Sequence, residues 1–282
     1  MDGRKAEESI FRALMLLSTV IVVGSLLAVF AAVFLKGLPA LSIQMITQTP
    51  KGGYYLGKEG GILNAIVGSL YLASGATALA FALSLPIALY LREYVGRSRF
   101  AELTRLSLDV MWGVPSIVYG AFAFIVMLYA GARTSLLWGI ITVALFELPI
   151  MARAMDEVMR MTPLKLREAS YALGSTKLET ALKVVVRQAL PGLLTAVLLA
   201  FSRGIGDAAS VLLTAGYTDY IPRSLADPAA TLPLAIFFQI GSPVPEVQQR
   251  AYASAIILLI LVLSLSIASR WATRKFAKYV VR

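Results

Sequence analysis

The sequence has no cysteine and no histidine among its 282 residues. Without cysteine there are no disulfide frameworks and no thiol nucleophiles, and without either residue there are no zinc sites built from their side chains. Histidine is also the most frequent general base in enzymes. These absences, together with the lack of a clustered acidic motif in any loop, disfavour a membrane enzyme, and we expect no cofactor and no metal.

Charged residues are also scarce, at 15% of the chain, whereas 58% of the residues are hydrophobic. Soluble domains usually contain about 25% charged residues and about 45–50% apolar ones. The mean hydropathy is +0.76, and one water-soluble core could not bury this much apolar surface. The composition therefore predicts an all-α, polytopic protein of the cell membrane, with the lipid bilayer covering much of its surface.

Six segments are long and apolar enough to predict transmembrane helices, because a span needs about 20 apolar residues. The fourth and fifth segments contain internal charges, and the third contains Pro115. The six predicted spans are residues 13–35, 62–91, 110–131, 135–152, 191–216 and 252–268.

The basic residues predict the orientation of these spans. With the N-terminus inside, 19 of the 26 lysines and arginines lie on the inner side and six on the outer side, while Arg203 lies within a span. Such an excess marks the cytoplasmic side of membrane proteins. We therefore predict cytoplasmic N- and C-termini, and the net charge of +10 then needs no nucleic-acid partner.

Outside the spans, two outer loops and one inner loop are substantial. In the second outer loop, the apolar residues 232–241 are too few to span the bilayer, which favours a re-entrant or interfacial segment. We expect residues 1–59 to form the N-terminal tail, the first transmembrane helix and an outer loop. Residues 60–282 would then form the main transmembrane domain, with a coupling loop at residues 156–190.

That inner loop has the pattern of two short helices separated by a turn. A helix is predicted to begin near Pro163, Gly174 breaks it, and a second amphipathic helix follows at residues 177–188. Such a pair could fit into a groove of a soluble partner. It could equally lie on the surface of an acidic membrane.

The order Glu168-Ala169-Ser170, three residues, then Gly174 resembles the EAA loop of importer-type ABC permeases. In that family the loop is the coupling helix gripped by the ATPase subunit, so the resemblance implies an ATPase-coupling role for these four residues. Ser170 replaces the second alanine of the pattern. Val184, Val186 and Arg187 stand where the family has Ile, Leu and Pro, which leaves the helix–glycine–helix frame intact.

Stretches at residues 60–72, 112–122 and 203–216 are similar to the phosphate ABC importer permeases, and the A-type fits better than the C-type. The family's motif R-x-x-G-E-T-A-P begins at Arg203, with Asp207, Ala208 and Ser210 replacing Glu, Thr and Pro. The resemblance implies a permease subunit that forms a path for phosphate, with ATP hydrolysis in a separate partner. The implied partners are a second permease subunit (a heterodimer), two copies of a cytoplasmic ATPase and an external phosphate-binding receptor protein.

Three ionisable residues, Arg203, Asp207 and Glu147, lie within predicted spans. An ionised side chain at the centre of the bilayer costs about 2.5–3.5 kcal/mol, so such residues usually face a partner or a water-filled path. Arg203 and Asp207, four residues apart on a helix, are expected to share a face and to pair. They could line the substrate path, since arginine suits an oxyanion, or they could only join two spans; Glu147 is equally open between the two roles. Ser116 and Tyr119, near Pro115 in a broken third span, are weaker candidates for the path.

Two other transport functions remain open. The permease could carry another oxyanion such as sulfate, molybdate or tungstate. A self-sufficient channel or secondary transporter is disfavoured by the basic inner loop and by the lack of an obvious proton relay.

Overall fold

The computed structural model describes residues 2–51, 59–96 and 98–276. Within these residues the regular secondary structure is helical apart from one short antiparallel pairing of β1 (Pro50–Lys51) with β2 (Glu59–Gly60), and residues 206–231 form a long irregular connection. The expected all-α class is therefore confirmed.

The first part of the chain contains one long outlying helix and one long central helix. Helix α1 (Asp2–Gly37) is followed by a 3-10 turn (Leu38–Ala40) and by the short helix α2 (Ile43–Thr47). Helix α3 (Leu63–Leu89) continues without a break into a π-helical segment (Tyr90–Val95).

The predicted third span is sharply bent. Helix α4 (Arg99–Gly113) and helix α5 (Ser116–Tyr129) meet at an angle of 99°. Pro115 precedes α5, and the backbone before a proline is biased away from the helical conformation, so the chain turns at Val114. Residues 110–131 therefore cross this bend and do not form one straight helix.

The next helices include the predicted inner loop at residues 156–190. Helix α6 (Leu136–Arg160) is followed by α7 (Leu164–Ala172) and by the single turn α8 (Lys177–Glu179). A second π-helical segment (Thr180–Val185) then leads directly into α9 (Val186–Ile205). The predicted helix–glycine–helix pattern is confirmed, and its second helix is continuous with the fifth span.

The fifth span ends earlier than the predicted residue 216, because α9 ends at Ile205 with Gly206 as its C-cap. Glycine has a high entropic cost in helices, and Gly204 and Gly206 lie close together here. After this break, the apolar residues 232–241 form the short helix α10 (Leu232–Ile240), which packs on α3 and on α11 (Pro245–Phe276).

Five of the described helical segments are long and apolar enough to cross a membrane, and the bent α4–α5 pair makes six if it counts as one span. The prediction of six spans therefore depends on this pair. The five segments are Glu7–Ala40, Leu63–Val95, Leu136–Arg160, Lys177–Ile205 and Pro245–Trp271.

Helix α6 lies at the centre of the bundle, between α3 and α9. Helices α3 and α6 run parallel. Gly75 of α3 lies against Ile140 of α6, and further along both helices Ser84 bonds to Leu148. Helix α9 runs antiparallel to α6. Small side chains on the buried face of α3 allow this close approach, as is usual between membrane helices; they are Ala65, Ser69, Ala73, Ala76, Ala80, Ser84 and Ala88.

Candidate functional site

Glu147 lies in the middle of α6 and is completely buried. Its Oε2 accepts a hydrogen bond of 2.9 Å from the hydroxyl of Thr77 on α3. Its Oε1 faces α9 at Gly204, where a Cβ atom would overlap it, and has no hydrogen-bond partner among the described residues. Glycine at 204 therefore allows α9 to pack directly against this carboxyl group.

Arg203 directly precedes Gly204 on α9 and is exposed. Its guanidinium carbon lies 5.0 Å from the centroid of the Phe146 ring, in a cation–π arrangement. Phe146 directly precedes Glu147, so the cationic and the acidic side chains lie at the same level of the α6–α9 contact but on different sides of it. Within the described ranges Arg203 makes no ion pair.

The predicted pairing of Arg203 with Asp207 is wrong. The helix ends at Ile205, so four residues of sequence no longer place the two side chains on one face. The carboxylate of Asp207 instead accepts hydrogen bonds of 2.8 Å from the Ser116 hydroxyl and 2.8 Å from the backbone N–H of Ser210. Asp207 thereby fixes the turn after α9 and joins it to the first residue of α5.

Tyr119, one turn further along α5, is buried. Its hydroxyl donates a 2.8 Å hydrogen bond to the carbonyl of Met111 on α4, and this bond bridges the bend between the two helices. Its ring packs edge-on against Phe146, with a centroid separation of 5.8 Å. Arg203 and Tyr119 therefore contact the same phenylalanine ring.

We call Arg203, Asp207, Glu147, Ser116 and Tyr119, together with the side chains that they contact, the Arg203 cluster. Its members Phe146 and Thr77 were not predicted from the sequence. Both lie in apolar spans where hydrophobic or small residues carry no signal of a special position. The sequence offered one indication for Phe146, which is its position next to Glu147. A residue beside a buried acidic residue lies near the same neighbouring helices. The five predicted path residues fall into two contact groups. Ser116 of α5 bonds to Asp207 in the turn after α9, whereas Tyr119 of α5 and Arg203 of α9 both contact Phe146 of α6, which directly precedes Glu147.

The second group of predicted residues lies on and after α7. Glu168 and Ala169 are exposed, whereas Ser170 is buried and its hydroxyl lies 2.9 Å from that of Thr180 in the π-helical segment. Gly174 ends the helix with a φ of +82°, a conformation that favours glycine. Ser170 is therefore the buried member of the motif, and Gly174 determines the turn after the helix.

Helix α7 is also held to the bundle by an ion pair that was not predicted from the sequence. The buried Arg167 contacts Glu93 at 3.0 Å, and its guanidinium also donates to the carbonyl of Met159 at 3.2 Å. Large apolar side chains beside these anchored residues are left exposed on this part of the chain: Met161, Leu164, Tyr171, Leu173 and Leu178.

These features define a multi-pass membrane protein with a short helix outside the bundle. The same fold occurs in the inward-facing structure of the MetNI methionine ABC transporter, with a TM-score of 0.64 and 20% sequence identity. The match covers 76% of this chain and 95% of that one.

Residues 84–280 match the family described as binding-protein-dependent transport system inner membrane component, and the chain belongs to this family. Several relatives are named phosphate transport system permease protein PstA. The Haemophilus influenzae protein is 32% identical over 95% of this chain and 94% of its own length. The Yersinia pestis protein is 34% identical over 83% of this chain and 79% of its own. PstA 1 of Mycobacterium tuberculosis is 36% identical over 74% of this chain and 69% of its own.

Proposed function

We propose that this chain is a membrane-spanning permease subunit of an ATP-driven importer and forms a translocation path for inorganic phosphate. The PstA relatives support phosphate as the solute, because the similarity extends over most of both chains. Sulfate, molybdate and tungstate are the alternative solutes. The replacement of Glu, Thr and Pro by Asp207, Ala208 and Ser210 makes a direct comparison of these anions necessary.

The observation that carries the proposal is the environment of Arg203. Its guanidinium rests on the ring of Phe146 and is not neutralised by a carboxylate in the described part of the chain. A guanidinium is permanently charged, and its planar fork can donate two hydrogen bonds to one oxyanion. The Phe146 ring fixes the position of the guanidinium group without accepting a conventional hydrogen bond from it. The N–H donors of Arg203 therefore remain available to an anion.

The other four residues then have supporting roles. Asp207 and Ser116 hold the turn after α9 against α5, and Tyr119 holds the bend between α4 and α5. Glu147 packs against Gly204, and this close contact of α6 with α9 determines the position of the adjacent Arg203. In this proposal Arg203 contacts the anion and the others position the helices around it.

We further propose that α7 is the coupling helix, with Glu168, Ala169 and the exposed apolar side chains around them facing a cytoplasmic ATPase. Ser170 holds the segment through its contact with Thr180, and Gly174 supplies the turn that ends the helix. The complete importer would contain a second permease subunit, two copies of the ATPase that hydrolyses ATP, and an external receptor that delivers phosphate. Both termini would be cytoplasmic, and residues 60–282 would form the transmembrane domain.

The test is ATP-driven uptake of radioactive phosphate by proteoliposomes that contain the full assembly. Arg203→Ala should abolish uptake while ATPase subunits still co-purify, and Arg203→Lys should restore only part of it, because lysine cannot donate as a fork. The matched control is Arg133→Ala, which changes an exposed arginine in the turn between α5 and α6. Full uptake by Arg203→Ala would exclude the path assignment, and stronger competition by sulfate, molybdate or tungstate than by phosphate would exclude phosphate as the solute.

A further inference from the structure

A polar cavity of about 450 Å³ lies where α6 ends and α7 begins. Three elements besides α6 contribute to its walls: the π-helical end of α3 with Arg92, helix α4 with Arg105, and the connection to α7 with Thr162. The cavity is separate from the Arg203 cluster, because Phe146 and Asp156 are ten residues apart on α6, or about 15 Å along the helix axis.

The walls carry four guanidinium groups and three carboxylates. Asp156 is fully engaged: Arg105 contacts its two oxygens at 2.7 and 3.2 Å, and Arg153 contacts it at 3.4 Å. Arg153 is held in addition by Asp109, at 2.5 Å. These two arginines are therefore neutralised within the protein.

Arg92 and Arg160 are not neutralised in the same way. Among the described residues Arg92 has no ion pair within 4.0 Å, and its neighbour Glu93 is already paired with Arg167. Arg160 lies 3.8 Å from Glu157, but both side chains are more than 60% exposed, so solvent weakens this contact. The cavity thus retains positive charge on the side of Arg92.

Two donors in its wall are also without acceptors. The Nε of Arg92 is buried and has no hydrogen-bond partner in the part of the chain that is described. The same holds for the hydroxyl of Thr162, a residue that is 5% exposed. Buried polar groups normally have a hydrogen-bond partner. A guanidinium N–H and a hydroxyl from two residues that line the same cavity both fit an acceptor with several oxygens and negative charge.

We propose that this cavity is a second anion site, which takes a phosphate group through Arg92, Thr162 and Arg160. Inorganic phosphate and a phospholipid headgroup share this chemistry. Glu102 and Glu157 lie on the exposed side of the cavity and repel an anion, which keeps the affinity moderate and the site reversible. An occupant connects the end of α3 to the residues that precede α7, so it holds this segment against the bundle.

The experiment is equilibrium binding to the purified complex of permease and ATPase subunits, without the external receptor, in nanodiscs of phosphatidylcholine, with radioactive inorganic phosphate as the probe. The wild type is compared with Arg92→Gln, and Arg99→Gln is the control, because Arg99 is an exposed arginine on α4 outside the cavity. We expect at least tenfold weaker binding of one phosphate in Arg92→Gln, full binding in Arg99→Gln, and recovery in Arg92→Lys. Arg203→Ala should retain this binding event, which separates it from the proposed path.

Lipid as the source is tested by purifying the same variants from membranes that contain phosphatidylglycerol. Phosphatidylglycerol retained by the wild type and by Arg99→Gln, but lost from Arg92→Gln, would identify a headgroup as the occupant. Thr162→Val, which removes only the hydroxyl at nearly constant volume, must weaken the same binding, and this second variant guards against misfolding of Arg92→Gln.

The proposal is overturned if the wild type and Arg92→Gln bind equal amounts of both phosphate and phosphatidylglycerol. Such a result would leave a carboxylate of the ATPase as the group facing Arg92. Loss of phosphate uptake in Arg203→Ala has no bearing on this result, since the binding measurement does not depend on transport.

Discussion

Arg167 of α7 and Glu93 in the π-helical end of α3 form an ion pair of 3.0 Å with side chains that are only 10% and 3% exposed. This pair attaches the proposed coupling helix to a helix that contributes to the centre of the bundle. A buried pair of this kind has little net effect on stability when both partners are present, but removal of one partner leaves a buried charge.

The first prediction concerns this pair. Arg167→Met should lower stability by about 3–5 kcal/mol because Glu93 loses its partner. Replacing both residues by methionine should recover most of this loss. The measurement is the thermal unfolding midpoint in detergent, followed by tryptophan fluorescence.

Lys183→Met serves as its control, because Lys183 and Glu179 form an exposed pair of 3.3 Å. Solvent weakens such exposed pairs, so the midpoint should hardly change. A double methionine variant as unstable as Arg167→Met alone would contradict the role assigned to the pair.

The second prediction concerns the contact of α9 with α6. Gly204→Ala places a methyl group on the carboxyl group of Glu147 and within 2.9 Å of Val143, so the helices must separate. We expect a loss of about 1–3 kcal/mol, as for other overpacked contacts, together with reduced phosphate uptake. Gly206→Ala is the control, since its added methyl would meet only carbonyl oxygens of the preceding turn, at 3.7 and 3.9 Å.

Gly204→Ala combined with Glu147→Ala gives a further check on this contact, because the shorter side chain makes room for the added methyl. Unfolding midpoints of these variants would show whether the collision is responsible. If the double variant is no more stable than Gly204→Ala, the steric explanation fails.

A third prediction concerns Ser116 and Asp207, which are joined by a 2.8 Å hydrogen bond between α5 and the turn after α9. Ser116→Ala, Asp207→Ala and the double variant form a double-mutant cycle. Groups in direct contact usually give interaction energies of about 0.5–3 kcal/mol, and we expect a value in this range. Additive effects on the unfolding midpoint would mean that the bond does not join the two elements.

The fourth prediction concerns the turn after α7. No atom lies within 4 Å of a Cβ added at Gly174, so Gly174→Ala tests backbone conformation alone, at a φ of +82°. The left-handed conformation costs a residue with a side chain about 1–2 kcal/mol. We expect weaker co-purification of the ATPase at unchanged expression.

Gly241→Ala is the matched control for this turn. Gly241 also has open space around it, but it caps α10 with a φ of −81°, which alanine adopts readily. Equal ATPase recovery for both variants would show that the shape of the Gly174 turn is not needed for docking.

Hydropathy predicted the helical class and the approximate position of most spans, because a long apolar run has few alternatives to a membrane helix. Gly174 was also predictable, since a glycine after an amphipathic helix has a local conformational reason. Apolar runs do not reveal where a helix stops inside the membrane, however. Residues 191–216 are apolar almost throughout, yet α9 ends at Ile205.

The contacts of the candidate site depend on tertiary structure and were less predictable. Arg203 and Asp207 were recognised as unusual by their charge, but their partners, Phe146 and Ser116, come from helices distant in sequence. The pairing of Arg167 with Glu93 joins residues 74 positions apart. Spacing along one helix contains no information about such contacts.

Both anchors of α7 contact π-helical stretches, and each such stretch contains one residue more than an α-helix would need there. Arg167 contacts Tyr90–Val95, and Ser170 contacts Thr180–Val185. Each residue of an α-helix advances by about 100°. If one residue of Thr180–Val185 were deleted to give a regular helix, everything from Val186 to Arg203 would turn by that angle relative to α7. The direction of the Arg203 side chain relative to α7 therefore depends on one additional residue in a segment about twenty residues before it.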